Sequence, residues 1–100
     1  MTDCILILVA VPELEEVMVD WLLEQHDISG FTSHPICGQS REQKKMSIIE
    51  QVIGRQRKVM FHIHLQSDTL NPILISLQED FTGTGLEYWV IPVIQTGRLN

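Results

Sequence analysis

The sequence predicts an α+β sandwich in which two helices lie on one face of a four-stranded antiparallel sheet. Two observations carry this prediction. Four short segments have the apolar or alternating pattern of strands, and two segments of similar length have the apolar periodicity of helices. Their order is β-α-β-loop-β-α-β, with no internal repeat or linker. The order indicates the split βαβ, or ferredoxin-like, arrangement β-α-β-β-α-β.

The first half of the chain predicts a strand, a helix and a weaker strand. Residues 4–11 form a continuous apolar run that ends at a proline, which is typical of a central strand buried on both faces. Pro12 suits the first turn of a helix that continues to about Gln25. Its predicted buried face consists of Leu14, Val17, Met18, Trp21 and Leu22. Residues 30–38 predict the second strand, and Pro35 favours an edge position for it.

The third strand has the clearest alternation in the chain, at residues 58–66. One set of its side chains is Val59, Phe61, Ile63 and Leu65, and the opposite set is Met60, His62, His64 and Gln66. A second helix follows, and its predicted buried residues are Leu70, Ile73, Leu74 and Leu77. Asp68 or Asn71 is expected to cap this helix, with Pro72 in its first turn or so.

Residues 81–86 predict a turn, and residues 87–94 predict the fourth strand. Because both helices are expected on one face of the sheet, the other face is left uncovered. Residues predicted to make this face partly apolar are Met60, Leu6, Leu8, Trp89 or Tyr88, and Ile91 or Val90. A bare apolar sheet face usually marks an oligomer interface.

Length and composition limit the possible classes of function. One hundred residues predict a single domain over residues 1–100, and a net charge of −6 at pH 7 argues against a nucleic-acid binder. The two cysteines, Cys4 and Cys37, form no disulfide framework, so we expect a reducing compartment and buried, inert thiols. No positive leader precedes the first apolar run, and no segment reaches membrane length. These features predict a cytoplasmic protein without membrane insertion.

Residues 40–58 concentrate the positive charge of the chain. They hold six of its seven basic residues, which are Arg41, Lys44, Lys45, Arg55, Arg57 and Lys58. The net charge of this stretch is +4, whereas the remainder carries −10. The segregation predicts a loop, at about residues 40–57, that contacts an acidic partner or an anionic ligand; a solvated connection is the alternative. A helical stripe and a flexible hairpin arm are both open interpretations of the stretch.

Three histidines are the sharpest candidate for a site. His62 and His64 are two residues apart on a strand, so both project from the same face. Antiparallel pairing of the second and third strands would bring His34 to that face as well. Three imidazoles suit a divalent transition metal such as Zn, Cu or Ni, and solvated or interface histidines are the alternative. No nucleophile–base pair or pair of carboxylates predicts an enzyme.

The element order with a long basic loop between strands two and three resembles the PII-like signalling proteins. The segments GRQRKV (54–59) and YWVIPVIQTGRL (88–99) resemble, more narrowly, a PII-like group encoded beside heavy-metal efflux pumps of the RND class. The resemblance implies a non-enzymatic regulator linked to membrane transport of metal ions. It also implies a homotrimer with inward-facing sheets, whose loop docks on a transporter or enzyme. A small trimeric metal-binding protein, similar to the divalent-cation tolerance proteins, is the second hypothesis.

In the PII family, clefts between subunits hold an adenine nucleotide. The resemblance carries Gly38, Gln39, Gly83 and Gly85 onto such a cleft, and Arg98 is the cation outside the loop that could serve it. The turn before the last strand is shorter here than in PII proteins and lacks their basic phosphate ligands. This difference predicts weak or absent binding of adenine nucleotides.

Overall fold

The computed structural model describes residues 2–39 and 56–100. In chain order the elements are β1 (Asp3–Ala10), a 3₁₀ turn (Pro12–Leu14), α1 (Glu15–Leu23), β2 (Phe31–Gly38), β3 (Gln56–Gln66), α2 (Ser67–Phe81) and β4 (Glu87–Pro92). This order confirms the predicted α+β, ferredoxin-like class. Most of the predicted basic loop lies outside the described residues, including Arg41, Lys44, Lys45 and Arg55. The choice between a helix with an apolar stripe and a flexible hairpin arm concerns these residues.

The four strands form one sheet in the order β2-β3-β1-β4, and every neighbouring pair is antiparallel. The predicted central position of β1 is confirmed, because this strand pairs with β3 on one side and β4 on the other. The predicted edge position of β2 is also confirmed. Pro35, which has no backbone N–H to donate, is tolerated there because one side of an edge strand needs no partner.

The core lies between the sheet and the two helices. It consists of Cys4, Leu6, Leu8 and Ala10 of β1, Val59, Phe61, Ile63 and Leu65 of β3, Met18 and Leu22 of α1, and Ile73, Leu77 and Phe81 of α2. The alternation predicted for β3 is therefore confirmed. Complete burial of one large side chain of this kind contributes about 1.5–3 kcal/mol to stability.

The two helices are also joined to each other. The indole Nε1 of Trp21 donates a hydrogen bond of 2.7 Å to the Asp80 carboxylate. The same indole meets the ring of Phe81 edge-on, with ring centroids 5.7 Å apart and an angle of 80° between planes. Phe81, which the sequence assigns to a turn, is therefore the last residue of α2 and part of the core.

The prediction for the two faces of β1 was wrong at Leu6 and Leu8. Both were expected on the uncovered face, but both are fully buried against the helices. The register explains this: Leu6 lies opposite Ile63 and Leu8 lies opposite Phe61, and directly opposite residues share a face. A continuous apolar run contains no alternation that could have told its two faces apart.

The apolar face of α1 differs from the predicted one at Val17. This residue is exposed, and Val19 packs against the core in its place. The chain enters the helix through the 3₁₀ turn, which has about 3.0 residues per turn instead of 3.6. The helical phase extrapolated from Pro12 is therefore shifted when α1 begins.

The second helix begins earlier than the sequence predicts. It starts at Ser67, so neither Asp68 nor Asn71 is its cap, and no side-chain hydrogen bond caps it. The backbone amide of Ser67 instead donates a 2.9 Å hydrogen bond to the carbonyl of Thr2, which ties the start of the helix to the residue that precedes β1. Because of this early start, Pro72 is the sixth helical residue and lies beyond the first turn.

We predict that Leu6→Ala lowers the free energy of unfolding by about 2–5 kcal/mol, since it opens a cavity in the core. The matched control is Leu23→Ala, because Leu23 is 71% exposed. This control should change stability by no more than about 0.5 kcal/mol. Urea denaturation at one fixed protein concentration measures both. Equal losses in the two variants would contradict the assignment of Leu6 to the core.

Candidate functional site

The face of the sheet opposite the helices has an apolar half and a histidine-bearing half. The apolar half consists of Ile5, Ile7 and Val9 of β1 with Trp89 and Ile91 of β4. Trp89 and Ile91 are each 43% exposed, whereas Tyr88 and Val90 lie on the helix side. The other half, on β3 and β2, carries Met60, His62, His64, Thr32 and His34. The structure therefore confirms Met60, Trp89 and Ile91 as residues of the uncovered face.

Two of the three predicted histidines are in contact. The imidazoles of His34 and His62 stack with their centroids 5.4 Å apart and their planes within 12° of parallel. The register causes this contact, because His34 lies opposite Met60 and is therefore the diagonal neighbour of His62. The antiparallel pairing predicted to bring His34 to the face of His62 is thus present.

His64 has a different partner. Its Nε2 lies 2.9 Å from a carboxylate oxygen of Asp3, at the end of the sheet where β1 begins. In residues 2–39 and 56–100, no group of three or more His, Cys, Asp or Glu side chains is gathered closely enough to hold a metal ion. The three-histidine metal site stays a prediction, and the structure brings only His34 and His62 together.

The predicted glycine turn lies between α2 and β4. Gly83 and Gly85 have φ values of 85° and 78°, a left-handed conformation that side chains with a Cβ rarely adopt. Thr84 fixes the turn by donating its hydroxyl to the carbonyl of Phe81 at 2.7 Å. The sequence requirement for glycine at these two positions is therefore explained by the backbone alone.

A cavity of about 250 Å³ opens beside this turn. Its lining residues are all uncharged, and they are Leu8, Leu77, Gln78, Phe81, Thr82, Gly83, Gly85, Leu86 and Tyr88. A phosphate group prefers Arg, Lys or an array of amides. Because this lining carries no charge, it suits an apolar group better than a triphosphate.

The predicted cleft residues divide between the two ends of the sheet. Gly38 pairs with Gln56 at the end where β3 begins, and the glycine turn precedes β4 at that same end. Gln39 follows Gly38 and is exposed. The tail that carries Arg98 leaves from the opposite end, where the amide of Val93 donates to the carbonyl of Asp3. Within one chain, β4 therefore separates the start of this tail from the glycine turn.

Two of the predicted loop residues belong to a strand. Because β3 begins at Gln56, Arg57 and Lys58 pair with Cys37 and Ile36 of β2 and form the stem of the segment between the strands. The Lys58 ammonium lies 3.9 Å from the carboxylate of Glu87 on the uncovered side of the sheet. This exposed carboxylate partly offsets the positive charge at the stem.

The two cysteines have different surroundings. Cys4 is buried as predicted, and burial raises the pKa of its thiol, with a further contribution from the Asp3 carboxylate. Cys37 is exposed, so the prediction of a buried thiol was wrong for this residue. It faces the helix side of β2, but most of that edge strand is exposed. Alternation predicted the face of β2 on which Cys37 lies, but it could not show that the helices leave this edge strand mostly exposed.

Within the described ranges, neither helix is long and apolar enough to cross a membrane. The sheet order, the helices on one face and the segment between β2 and β3 define a ferredoxin-like protein with a PII-like fold. The chain belongs to the DUF3240 family, because the sequence model of that family, described as a protein of unknown function (DUF3240), matches residues 1–100. No curated protein sequence matches the chain.

Solved structures of three kinds are similar to this chain. A DUF3240 family protein from Shewanella baltica OS155 is 28% identical, with a TM-score of 0.79 and coverage of 100% of this chain and 99% of that one. CPII from Thiomonas intermedia K12, a nitrogen regulatory PII-like protein bound to ADP, AMP and bicarbonate, is 18% identical, with a TM-score of 0.71 and coverage of 100% and 98%. The divalent cation tolerance protein CutA from Archaeoglobus fulgidus is 15% identical, with a TM-score of 0.68 and coverage of 98% and 89%. The last two likenesses show the fold.

We predict that ATP binds with a dissociation constant above about 10 μM, weaker than about −7 kcal/mol. The physical reason is the uncharged lining beside the glycine turn. Isothermal titration calorimetry measures the constant in wild type and in Thr82→Arg, which adds a cation at the cavity. Thr82→Gln is the matched neutral control. ATP binding by the wild type below that constant would contradict the prediction, as would no gain in Thr82→Arg over Thr82→Gln.

Proposed function

We propose that this protein is a non-enzymatic, PII-like regulatory protein that acts in the cytoplasm and is linked to membrane transport of metal ions. The observation that supports the proposal most is the pairing between the end of β2 and the start of β3, the two strands that flank the basic segment. These strands bring Arg57 and Lys58 to the base of a segment whose remaining basic residues continue the same charge. In a protein with a net charge of −6, Arg57 and Lys58 thus lie together at one end of the sheet.

Charge separation of this kind supports docking on an acidic surface, because complementary potentials speed association and suppress wrong partners. We propose that the partner is a membrane transporter whose contact surface is acidic. The segment between the strands supplies Arg41, Lys44, Lys45 and Arg55, and the stem supplies Arg57 and Lys58. The similarity to a nitrogen regulatory PII-like protein over the full length of the chain supports a regulatory role.

We also propose that the functional form is a homotrimer with the uncovered faces turned inward. The support is the pair of exposed apolar side chains that β4 places on the uncovered face, Trp89 and Ile91, each 43% exposed. Ile94 and Leu99 of the following tail are fully exposed as well. Apolar side chains gathered along an edge strand favour association, because water contact with them is unfavourable.

A second candidate function is a small metal-binding protein similar to the divalent-cation tolerance proteins. The stacked His34–His62 pair favours this alternative, since two imidazoles on neighbouring strands can share a transition metal. The structural similarity to CutA, a divalent cation tolerance protein, gives it further support. Both functions can reside in one molecule, because the stems and the histidine pair lie on the same two strands.

We predict that the protein binds the membrane fraction of the cells that produce it, and that this binding weakens as salt is raised. The variant Arg41→Gln/Lys44→Gln/Lys45→Gln/Arg55→Gln should lose retention, because it removes the charge that neutralises the acidic partner. A matched variant, Lys44→Arg/Lys45→Arg, keeps the charge and should be retained. Co-sedimentation with membranes at low and high salt measures the effect.

Protein-free vesicles of the same lipids are the control that separates a transporter from the lipid surface. Equal retention of wild type and the four-residue variant would contradict docking through the basic segment. Equal retention on protein-free vesicles would contradict a protein partner.

A further inference from the structure

A third metal-binding side chain lies beside the stacked histidines. Met60 is directly opposite His34 in the pairing of β2 with β3, and it precedes His62 by two residues on β3. All three side chains therefore lie on the uncovered face. Directly opposite residues have Cβ atoms about 4.5–5.5 Å apart, and diagonal neighbours remain within reach of long side chains. One thioether and two imidazoles are thus mutual neighbours.

These donors are accessible to solvent. His34 is exposed, and His62 and Met60 are half-buried. In the described part of the chain, neither the His34 nor the His62 ring has a hydrogen-bond partner, whereas the Asp3 carboxylate engages His64. Exposed side chains change rotamer within nanoseconds, so the His34 ring can turn from stacking and converge with His62 on an ion.

The chemistry of the donors selects the class of ion. Thioether and imidazole are neutral ligands, and thioether sulfur favours soft ions such as Cu(I). Around the donors on this face, the neighbouring residues of β2 and β3 are Thr32, Ile36, His64 and the cation Lys58, with no carboxylate among them. The nearest carboxylates on this face engage other groups, since Glu87 lies 3.9 Å from the Lys58 ammonium and Asp3 contacts His64. Divalent ions that prefer carboxylate oxygen gain little binding energy from these three donors. A monovalent ion is also repelled less by the Lys58 ammonium than a divalent ion is.

We propose that Met60, His34 and His62 form a binding site for a soft monovalent metal ion of the Cu(I) or Ag(I) class. The proposal deepens the metal-ion part of the proposed function and rests on it. It replaces His64 of the sequence-predicted set by a thioether. Because one chain supplies all three donors, the site takes one ion per chain. The ion would contact both β2 and β3 and so join these two edge-side strands.

The test uses Ag(I), which is stable in air, in chloride-free buffer. All proteins carry Cys37→Ser, because the exposed Cys37 thiol would bind Ag(I) by itself. With ¹³C-labelled methionine methyl groups, the Met60 resonance should shift with the ring signals of His34 and His62, and it should saturate at one ion per chain. The resonance of Met18, which is completely buried in the core, should not move. A stationary Met60 signal at saturation overturns the proposal.

Variants in the same background identify the donors. Met60→Leu keeps the side-chain volume and should weaken Ag(I) binding by about tenfold or more, without weakening Zn²⁺ binding. His34→Gln and His62→Gln should each weaken Ag(I) binding by a similar factor, while His26→Gln, at an exposed histidine after α1, should not. Circular dichroism confirms that each variant is folded.

Two outcomes overturn the proposed donor set. One is unchanged Ag(I) affinity in folded Met60→Leu. The other is a loss in His64→Gln as large as that in His62→Gln, which would support the three-histidine set instead. Retention on membranes is measured separately with metal-free protein. Loss of the Ag(I) site with intact, salt-sensitive retention therefore removes this inference and leaves the docking function standing.

Discussion

Both helices pack against the same face of the sheet, and the rest of the structure depends on this one-sided packing. It places the alternate residues of β1 and β3 in a continuous core with α1 and α2. It also leaves the other residues of β1, which are almost all apolar, on the opposite face of the sheet. There Ile5, Ile7 and Val9 lie beside Trp89 and Ile91 of β4. Ile7 and Val9 are only 5% exposed, so the exposed apolar surface of this face is concentrated on Trp89 and Ile91 of β4.

The same packing gives the two edges of the sheet different chemistry. The β4 edge is apolar, which suits burial against another copy of the chain. The β2 edge carries polar side chains, His34 among them, and the stem of the basic segment. Assembly through the apolar edge and contact with a ligand or partner through the polar one therefore need not compete for the same residues.

The sequence predicted the order of the four strands and two α-helices in the described residues, because period-2 alternation in β3 and helical periodicity in α2 are strong local signals. It could not choose the inward face of β1, since every residue of that run is apolar. It grouped His64 with the other histidines, because the Asp3 contact arises from the β1–β3 register and not from local spacing. Met60 was placed correctly on the histidine face by alternation, but a lone methionine gives no local signal of metal binding.

The exposure of Cys37 and Val17 was missed for a related reason. Periodicity shows on which face a side chain lies, but the extent of the opposite layer decides whether that side chain is covered. The helices leave most of β2 exposed, and the 3₁₀ turn shifts the phase of α1. The first effect is tertiary and the second is a local change of helix type, and apolar periodicity shows neither of them.

The central claim is that further copies of the chain cover the apolar part of the uncovered face. Sedimentation velocity at micromolar concentration tests it most directly, with Trp89→Asp as the variant that places a charge in the proposed interface. We expect the wild type to have three times the chain mass of 11.5 kDa, and the variant to dissociate. A wild-type mass equal to that of one chain would contradict the claim.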